Sequence, residues 1–210
     1  MTESNNNYPA NLTIDYPEKL NKLTTFFRIF AVIPIFIILG LLIGGTYESN
    51  SLEEGWRFTY SAGGIVFVPT ILMILFRKKY PKWWFDWNLS LTRFIYRVFS
   101  YLILLRDEYP STDEEQAIHI EIIYPNVETE LKRGMPLVKW FLAIPHVFIL
   151  LFLYIAVFIS TIISWFVILF TGIYPKGIFD FVTGVMRWSL RVCAYAFLLT
   201  TDQYPPFSLS

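Results

Sequence analysis

The longest uncharged segment of the chain restricts its fold more than any other feature. Residues 141–172 are 32 consecutive residues without Asp, Glu, Lys or Arg. About 20 apolar residues in a helix cross the hydrocarbon core of a bilayer, so this segment predicts a membrane-spanning structure. A buried core helix of a soluble protein is the alternative. Only 16% of the 210 residues are charged and 55% are hydrophobic, which favours the membrane.

The dipeptide Tyr-Pro reveals an internal repeat. It occurs seven times, and the last six copies form two sets of three, one set in each half. Residues 80–101 align with residues 174–195 at an offset of 94, with nine identities in 22 positions. Further upstream the offset becomes 111, which aligns Pro34 with Pro145. We infer a duplication and predict two membrane repeats, in residues 1–110 and 111–210.

Each repeat follows one plan. A short segment with strand-like alternation comes first, at Leu12 and Ile14 in one half and at residues 118–122 in the other. A hydrophobic stretch, an amphipathic helix and a closing Tyr-Pro follow. Tyrosine is common at the headgroup level, and proline pushes the preceding residue out of the helical region, so Tyr-Pro suits a membrane boundary. The predicted class is an all-α integral membrane protein in which each repeat has a transmembrane helical hairpin, an interfacial amphipathic helix and short extended segments.

The two hydrophobic stretches differ. In the first half, apolar residues 25–45 and 61–76 flank a polar loop, residues 46–60, which predicts a hairpin of two spans. The second half has no such loop. One continuous helix there would be about 48 Å long and strongly tilted. We favour a compact hairpin that turns near Ser160 and Thr161, because the repeat predicts the same topology in both halves.

The amphipathic helices contain the best candidate contact residues. Each has an aspartate and two arginines on one stripe, and the first helix begins with two tryptophans. The predicted contacts with lipid or a partner are Asp86, Arg93, Arg97, Asp180, Arg187, Arg191, Trp83 and Trp84. The alternative is that the arginines only snorkel to water. Gly177 and Gly184 stand where the first half has Trp83 and Ser90, so we expect the second helix to pack tightly and the first to present aromatic rings outward.

Patterns typical of enzymes and metal sites are missing from the sequence. His119 and His146 have no second His or Cys at ligand spacing, and the single Cys193 lies in an apolar stretch. No phosphate-binding glycine loop or nucleophile elbow occurs. Zero net charge disfavours a nucleic-acid partner. We therefore expect no catalytic activity, cofactor, metal or nucleic acid.

Three segments of the second half resemble a known family. They are residues 140–146 (WFLAIPH), residues 169–181 (LFTGIYPKGIFDF) and the stretch from Arg187 to Leu209, which includes DQYPPFSL. These segments resemble the bacterial and archaeal membrane family called domain of unknown function 4389. The first half resembles a degenerate copy, in which Ile35 replaces the histidine after proline. The resemblance implies membrane residence and brings no catalytic residue.

These observations predict a non-catalytic membrane protein of a prokaryotic cytoplasmic membrane. We expect a structural or accessory subunit of a larger membrane complex, or a protein that organises lipid. Its partners would be membrane lipids and other membrane subunits. A small transporter or lipid-handling protein, with a path between the two repeats, is the second hypothesis, and a membrane enzyme is the third.

The distribution of charge predicts the topology of the first half. Basic residues flank the two spans and glutamates lie in the loop at residues 46–60, so both termini should be cytoplasmic and the loop external. Single cysteines introduced by Ser51→Cys and Ser4→Cys, in a Cys193→Ser background, should react with an impermeant reagent from opposite sides of the membrane. Labelling of both from one side would contradict this topology.

Overall fold

The computed structural model describes residues 8–43, 46–48, 57–59, 67–112, 114 and 116–210. It is mostly helical. In chain order its elements are β1 (Ala10–Ile14), α1 (Lys22–Ala31), α2 (Ile33–Ile43), β2 (Thr46–Glu48), β3 (Arg57–Thr59), α3 (Phe67–Leu72), a π-helical segment (Met73–Arg77), α4 (Lys82–Leu102), β4 (Ile118–Ile122), α5 (Met135–Thr171) and α6 (Lys176–Ala196).

The two predicted extended segments pair with each other. β1 and β4 form an antiparallel sheet in which Leu12 lies opposite Ile120. In both strands alternate side chains are buried, because successive residues of a strand point to opposite faces. The apolar side chains of both strands thus share one face, which packs on the helices. The strand predictions are confirmed.

Each strand packs on the amphipathic helix of the other half. α6 packs on β1, and α4 packs on β4. The first arginine of each helix fixes this contact: Arg187 Nε donates to the carbonyl of Leu12 at 2.9 Å, and Arg93 donates to the carbonyl of Ile120 at 3.1 Å. Leu12 and Ile120 are the pair that face each other in the sheet. The two halves therefore exchange strands around a local two-fold relation.

Two Tyr-Pro segments repeat this exchange. Tyr16, after β1, donates its hydroxyl hydrogen bond to the carbonyl of Tyr174, before α6. Tyr124, after β4, donates to the carbonyl of Tyr80, before α4, at 2.5 Å. The ring of Tyr16 also contacts Phe179 edge-on, with 5.0 Å between centroids, and Tyr124 contacts Phe85 in the same way at 5.1 Å. Matching contacts thus tie each half to the other. The division at residue 110 stays a prediction.

The hairpin predicted for the second half is wrong. α5 runs without interruption through 37 residues, including Ser160 and Thr161. Between His146 and Thr171 the sequence has no proline or glycine to end a helix. The hydroxyl of Thr161 bonds back to the carbonyl of Val157, so it is satisfied within the helix. Pro145 lies inside the helix. The helix is about 55 Å long at 1.5 Å per residue.

The first half has a different arrangement in the same place. The apolar stretch breaks at Val32, and the segments Lys22–Arg28 and Ile33–Gly40 are bent by 50°. α2 packs on α4 through a cluster of Ile35, Leu39, Phe94 and Val98. In the predicted loop, β2 and β3 pair antiparallel. The rest of that loop, and the start of the second predicted span, lie outside the described residues.

One helix of the described part of the chain, α5, is long and apolar enough to cross a membrane. The bent pair, Lys22–Arg28 with Ile33–Gly40, would add a second span if it crosses as one unit. Only 17% of the most apolar window of α5 is buried inside the molecule. A core helix of a soluble protein is mostly buried, so this exposure favours membrane association over that alternative.

The tyrosine bonds between the halves should stabilise the fold. Tyr16→Phe and Tyr124→Phe each remove one hydroxyl donor and leave a carbonyl in the opposite half without its partner. Each change should lower the free energy of unfolding by about 1 kcal/mol. Thermal melting in mild detergent measures the loss. Tyr109→Phe, at a position that is 54% exposed, is the control and should melt with the wild type. Equal melting of all three variants would contradict the role of these bonds.

Candidate functional site

The arginine stripe of α6 lies under other parts of the chain. Arg187 is half-buried and donates to the carbonyls of Leu12 and Leu209, and NH2 of Arg191 donates to the carbonyl of Ser210 at 2.6 Å. The Arg191 side chain is fully buried, and its Nε and NH1 have no hydrogen-bond partner. Asp180, on the same stripe, is exposed and pairs with Lys176 at 3.1 Å. The predicted contact residues of α6 therefore divide between interior and surface.

The stripe of α4 has a similar pattern. Arg93 bonds to the carbonyl of Ile120, and the buried Arg97 donates to the carbonyl of Ser111 at 2.8 Å. Asp86 forms an exposed ion pair with Lys82 at 3.2 Å. The four arginines of the two stripes bond to backbone oxygens of their own chain, whereas the two stripe aspartates, Asp86 and Asp180, pair with lysines. Contact of these residues with lipid or a partner stays a prediction.

Two like charges lie side by side on α6. Burial lowers the pKa of Arg191, and the nearby charge of Arg187 lowers it further. Burial also lowers the pKa of Arg187. Arginine keeps its proton at any physiological pH, so the two guanidinium groups stay charged and repel each other. Within the described residues, no Asp or Glu side chain forms an ion pair with either arginine.

The segment after α6 covers this stripe. We call residues 204–210 the strap. A Cβ placed on Gly184 would lie 2.8 Å from the carbonyl oxygen and 2.9 Å from Cβ of Leu209, so only glycine permits this approach. Around Gly177 no atom lies within 4 Å of that position. The expected tight packing of α6 is thus present at Gly184, and Gly177 faces open space.

The aromatic residues at the start of α4 include one that faces outward. Trp83 is 68% exposed. Trp84 is partly buried, and its indole N–H donates to the hydroxyl of Thr70 at 2.8 Å. Trp87, which the sequence analysis did not single out, is 41% exposed and stacks on Trp84 with 5.4 Å between centroids. The exposed tryptophans, Trp83 and Trp87, suit the headgroup level of a bilayer.

Two buried ion pairs were missed by the sequence analysis. Arg28 of α1 pairs with Asp107, and Lys139 of α5 pairs with Asp202 at 2.7 Å. Arg28 and Lys139 are related by the offset of 111, and the carboxylates accept from the backbone N–H of Asn21 and Lys132. The cation of each pair is fully covered. A basic residue at matched positions in both apolar stretches was the available signal.

His146 lies in an aromatic box between α5, α6 and the strap. Its Nδ1 accepts a hydrogen bond from the indole N–H of Trp188 at 3.0 Å, so the neutral ring has its proton on Nε2. Phe207 stacks on the imidazole with 3.9 Å between centroids, and Tyr204 lies at 4.8 Å. Nε2 is buried without a partner. At the equivalent first-half positions, Ile35 packs against Phe94.

The remaining His and Cys side chains of the described part of the chain lie apart from one another. This part of the chain has no group of three or more His, Cys, Asp or Glu that could hold a metal ion. Burial raises the pKa of the Cys193 thiol to about 12, so the reactive thiolate is absent at neutral pH. His119 lies 3.4 Å from a carboxylate oxygen of Asp15 on an exposed strand.

The His146 box brings together residues from the first and third of the segments that carry the noted resemblance. Residues 135–208 match the family model DUF4389, a domain of unknown function. This match confirms the resemblance for the second half, and the DUF4389 segment covers α5, α6 and most of the strap. No curated protein and no solved structure matches the chain. The degenerate first-half copy stays a prediction, since the match begins at residue 135.

The buried pair of Lys139 and Asp202 should be costly to break. Asp202→Asn would leave the Lys139 charge buried without a carboxylate, and the expected loss of stability is about 3–5 kcal/mol. Asp180→Asn breaks an exposed pair and should cost less than about 1 kcal/mol. Thermal melting in detergent compares the two variants.

A double variant separates the charge effect from other damage. Asp202→Asn with Lys139→Met removes both charges and should recover most of the lost stability, because no buried charge remains unpaired. A double variant no more stable than Asp202→Asn alone would show that the charge is not the cause.

Proposed function

We propose that this chain is a non-catalytic integral membrane protein that acts as a structural or accessory subunit of a larger membrane complex, in contact with lipid along α5. The single observation that supports it is the bare apolar surface of α5. Phe141, Phe158 and Phe170 are each at least 66% exposed, although they lie along the whole helix. Soluble monomers rarely expose a contiguous apolar surface of this extent. Lipid tails or the apolar helices of another subunit would cover it.

Two tryptophans suggest which part of α5 lies in the bilayer. Trp140 and Trp165 are 25 residues apart, or about 37 Å along the helix. Their indole N–H groups donate to the carbonyls of Ala196 and Thr25, so neither ring leaves a donor unpaired. Tryptophan prefers the two interfaces of a membrane. A moderately tilted helix would place residues 141–164 in the hydrocarbon core and the buried Lys139 at its edge.

The use of the charged groups supports a structural role. The first arginine of each amphipathic helix, Arg93 or Arg187, holds a strand, and the ion pairs of Asp107 and Asp202 hold the starts of α1 and α5. A catalytic group must be free to meet a substrate, whereas these groups are engaged within the chain. We place the protein in a prokaryotic cytoplasmic membrane, with the amino terminus in the cytoplasm, on the distribution of basic residues. A hairpin in the first half followed by a single crossing of α5 would put the carboxyl terminus on the other side, so the expectation that both termini are cytoplasmic, which rested on a second hairpin, is not kept.

A charge on the exposed side of α5 tests the membrane assignment. Phe152→Lys, at a position that is 56% exposed, puts an ammonium group at the middle of the proposed span, at a cost of about 2.5–3.5 kcal/mol for insertion. The wild type should stay in the membrane pellet after alkaline carbonate extraction, and the variant should be depleted there. Tyr109→Lys, an exposed position outside the helices, is the matched control and should behave as the wild type. Release of the wild type into the soluble fraction would contradict the proposal.

Purification in mild detergent tests the subunit role. Membrane proteins that stay bound at fixed stoichiometry support an accessory subunit. The second hypothesis, a transporter or lipid-handling protein with a path between the halves, expects a lone protein with bound lipid. Recovery of the chain alone, without a partner, would therefore favour the alternative.

A further inference from the structure

One of the two arginines under the strap has hydrogen-bond donors without an acceptor. Arg191 is fully buried, yet two of its three guanidinium nitrogens, Nε and NH1, donate no hydrogen bond. A buried donor without a partner destabilises the fold, and more so when it is charged. The neighbouring Arg187 adds a second positive charge, and the two lower the stability of each other's charged form. An anion between them would satisfy the free donors and remove the repulsion.

Backbone oxygens of the strap now occupy this position. Leu209 accepts from Arg187 at 3.2 Å and Ser210 accepts from Arg191 at 2.6 Å. The Leu209 oxygen is a carbonyl with only a partial negative charge, so it compensates Arg187 less well than an ionised group, and a phosphate would also bring acceptor oxygens for Nε and Nη1 of Arg191. Charge-assisted bonds to phosphate are roughly twice as strong as neutral ones, and guanidinium geometry favours two parallel bonds to phosphate oxygens. A phosphate group would thus compete with the strap for the same donors.

We propose that Arg187 and Arg191 form a binding site for a phosphate group, and that the strap is a built-in competitor that leaves the site when phosphate binds. The phosphate belongs to a lipid headgroup or is free in solution. The α4 stripe differs at one position: Ser90, which replaces Gly184, is exposed, and Arg97 donates to the carbonyl of Ser111. The proposal concerns the stripe of α6 alone. The proposal deepens the predicted lipid contact of α6 and does not depend on α5 being a membrane span.

Two glycines of α6 provide a test that leaves the arginines intact. Gly184→Ala would force the strap away, because its Cβ would lie 2.8 Å from a backbone oxygen of Leu209. Gly177→Ala makes the same chemical change in the same helix with no atom within 4 Å. Calorimetric titration of inorganic phosphate into the full chain in a zwitterionic detergent should give at least tenfold tighter binding for Gly184→Ala than for the wild type. Gly177→Ala should match the wild type.

Further measurements identify the source of the phosphate group and the arginine that binds it. Nanodiscs of phosphatidylcholine with and without phosphatidylglycerol replace free phosphate, and hydrogen exchange of the strap amides is the readout. If phosphatidylglycerol speeds the exchange of the strap amides and inorganic phosphate does not change it, the site binds lipid. If inorganic phosphate speeds the exchange and phosphatidylglycerol does not, the site binds free phosphate. Arg191→Gln should weaken binding at least tenfold, and Arg97→Gln on α4 should not change it.

Two results together would overturn the proposal. The first is equal phosphate affinity of Gly184→Ala and Gly177→Ala, at any level of binding, and the second is an exchange rate of the strap amides that neither inorganic phosphate nor phosphatidylglycerol changes. This outcome is distinct from failure of the membrane assignment, which rests on extraction of α5. Since the glycine pair and the hydrogen exchange of the strap decide the question together, loss of folding in an arginine variant would not leave it open.

Discussion

The pairing of β1 with β4 is the contact on which the remaining structure depends. It joins the two halves of the chain, and the carbonyls of its central pair, Leu12 and Ile120, accept from Arg187 and Arg93. Those bonds hold α6 and α4 against strands of the opposite half, and the Tyr16 and Tyr124 hydroxyls repeat the crossing. Without the strand pair, both arginines would be deprived of acceptors, and neither amphipathic helix would have a surface to cover its polar stripe.

Local patterns were sufficient to predict the strands and the amphipathic helices. Alternation at Leu12 and Ile14 predicted β1, and the arginine spacing predicted the face of α6 that meets other groups. The same reasoning failed at Ser160 and Thr161, because symmetry suggested a turn where no residue breaks the helix. The partners of Arg187 and Asp202 could not be predicted either, since they lie far away in the sequence and depend on an exchange of strands that no local pattern records.

The two halves have similar residues where they contact each other and different residues elsewhere. The strand contacts, the tyrosine bonds and the buried ion pairs occur twice. The halves differ in their apolar stretches, since the first bends near Val32 and the second forms the continuous α5. They also differ at Ile35, whose equivalent in the second half is His146. The first half has two exposed tryptophans, and the second has the strap. The two halves thus share an internal framework and differ on their outer surfaces.

The strand exchange also sets an order of events during synthesis. β1 leaves the ribosome before its partner β4, which begins at Ile118, 104 residues after Ile14. At about 5–20 residues per second, β1 waits roughly 5–20 seconds for that partner, and longer for α6. During this interval the apolar face of β1 and an unpaired strand edge are open to other chains. The nascent chain therefore has a period of vulnerability to aggregation that the finished fold does not show, and contacts so distant in sequence make the closing step slow.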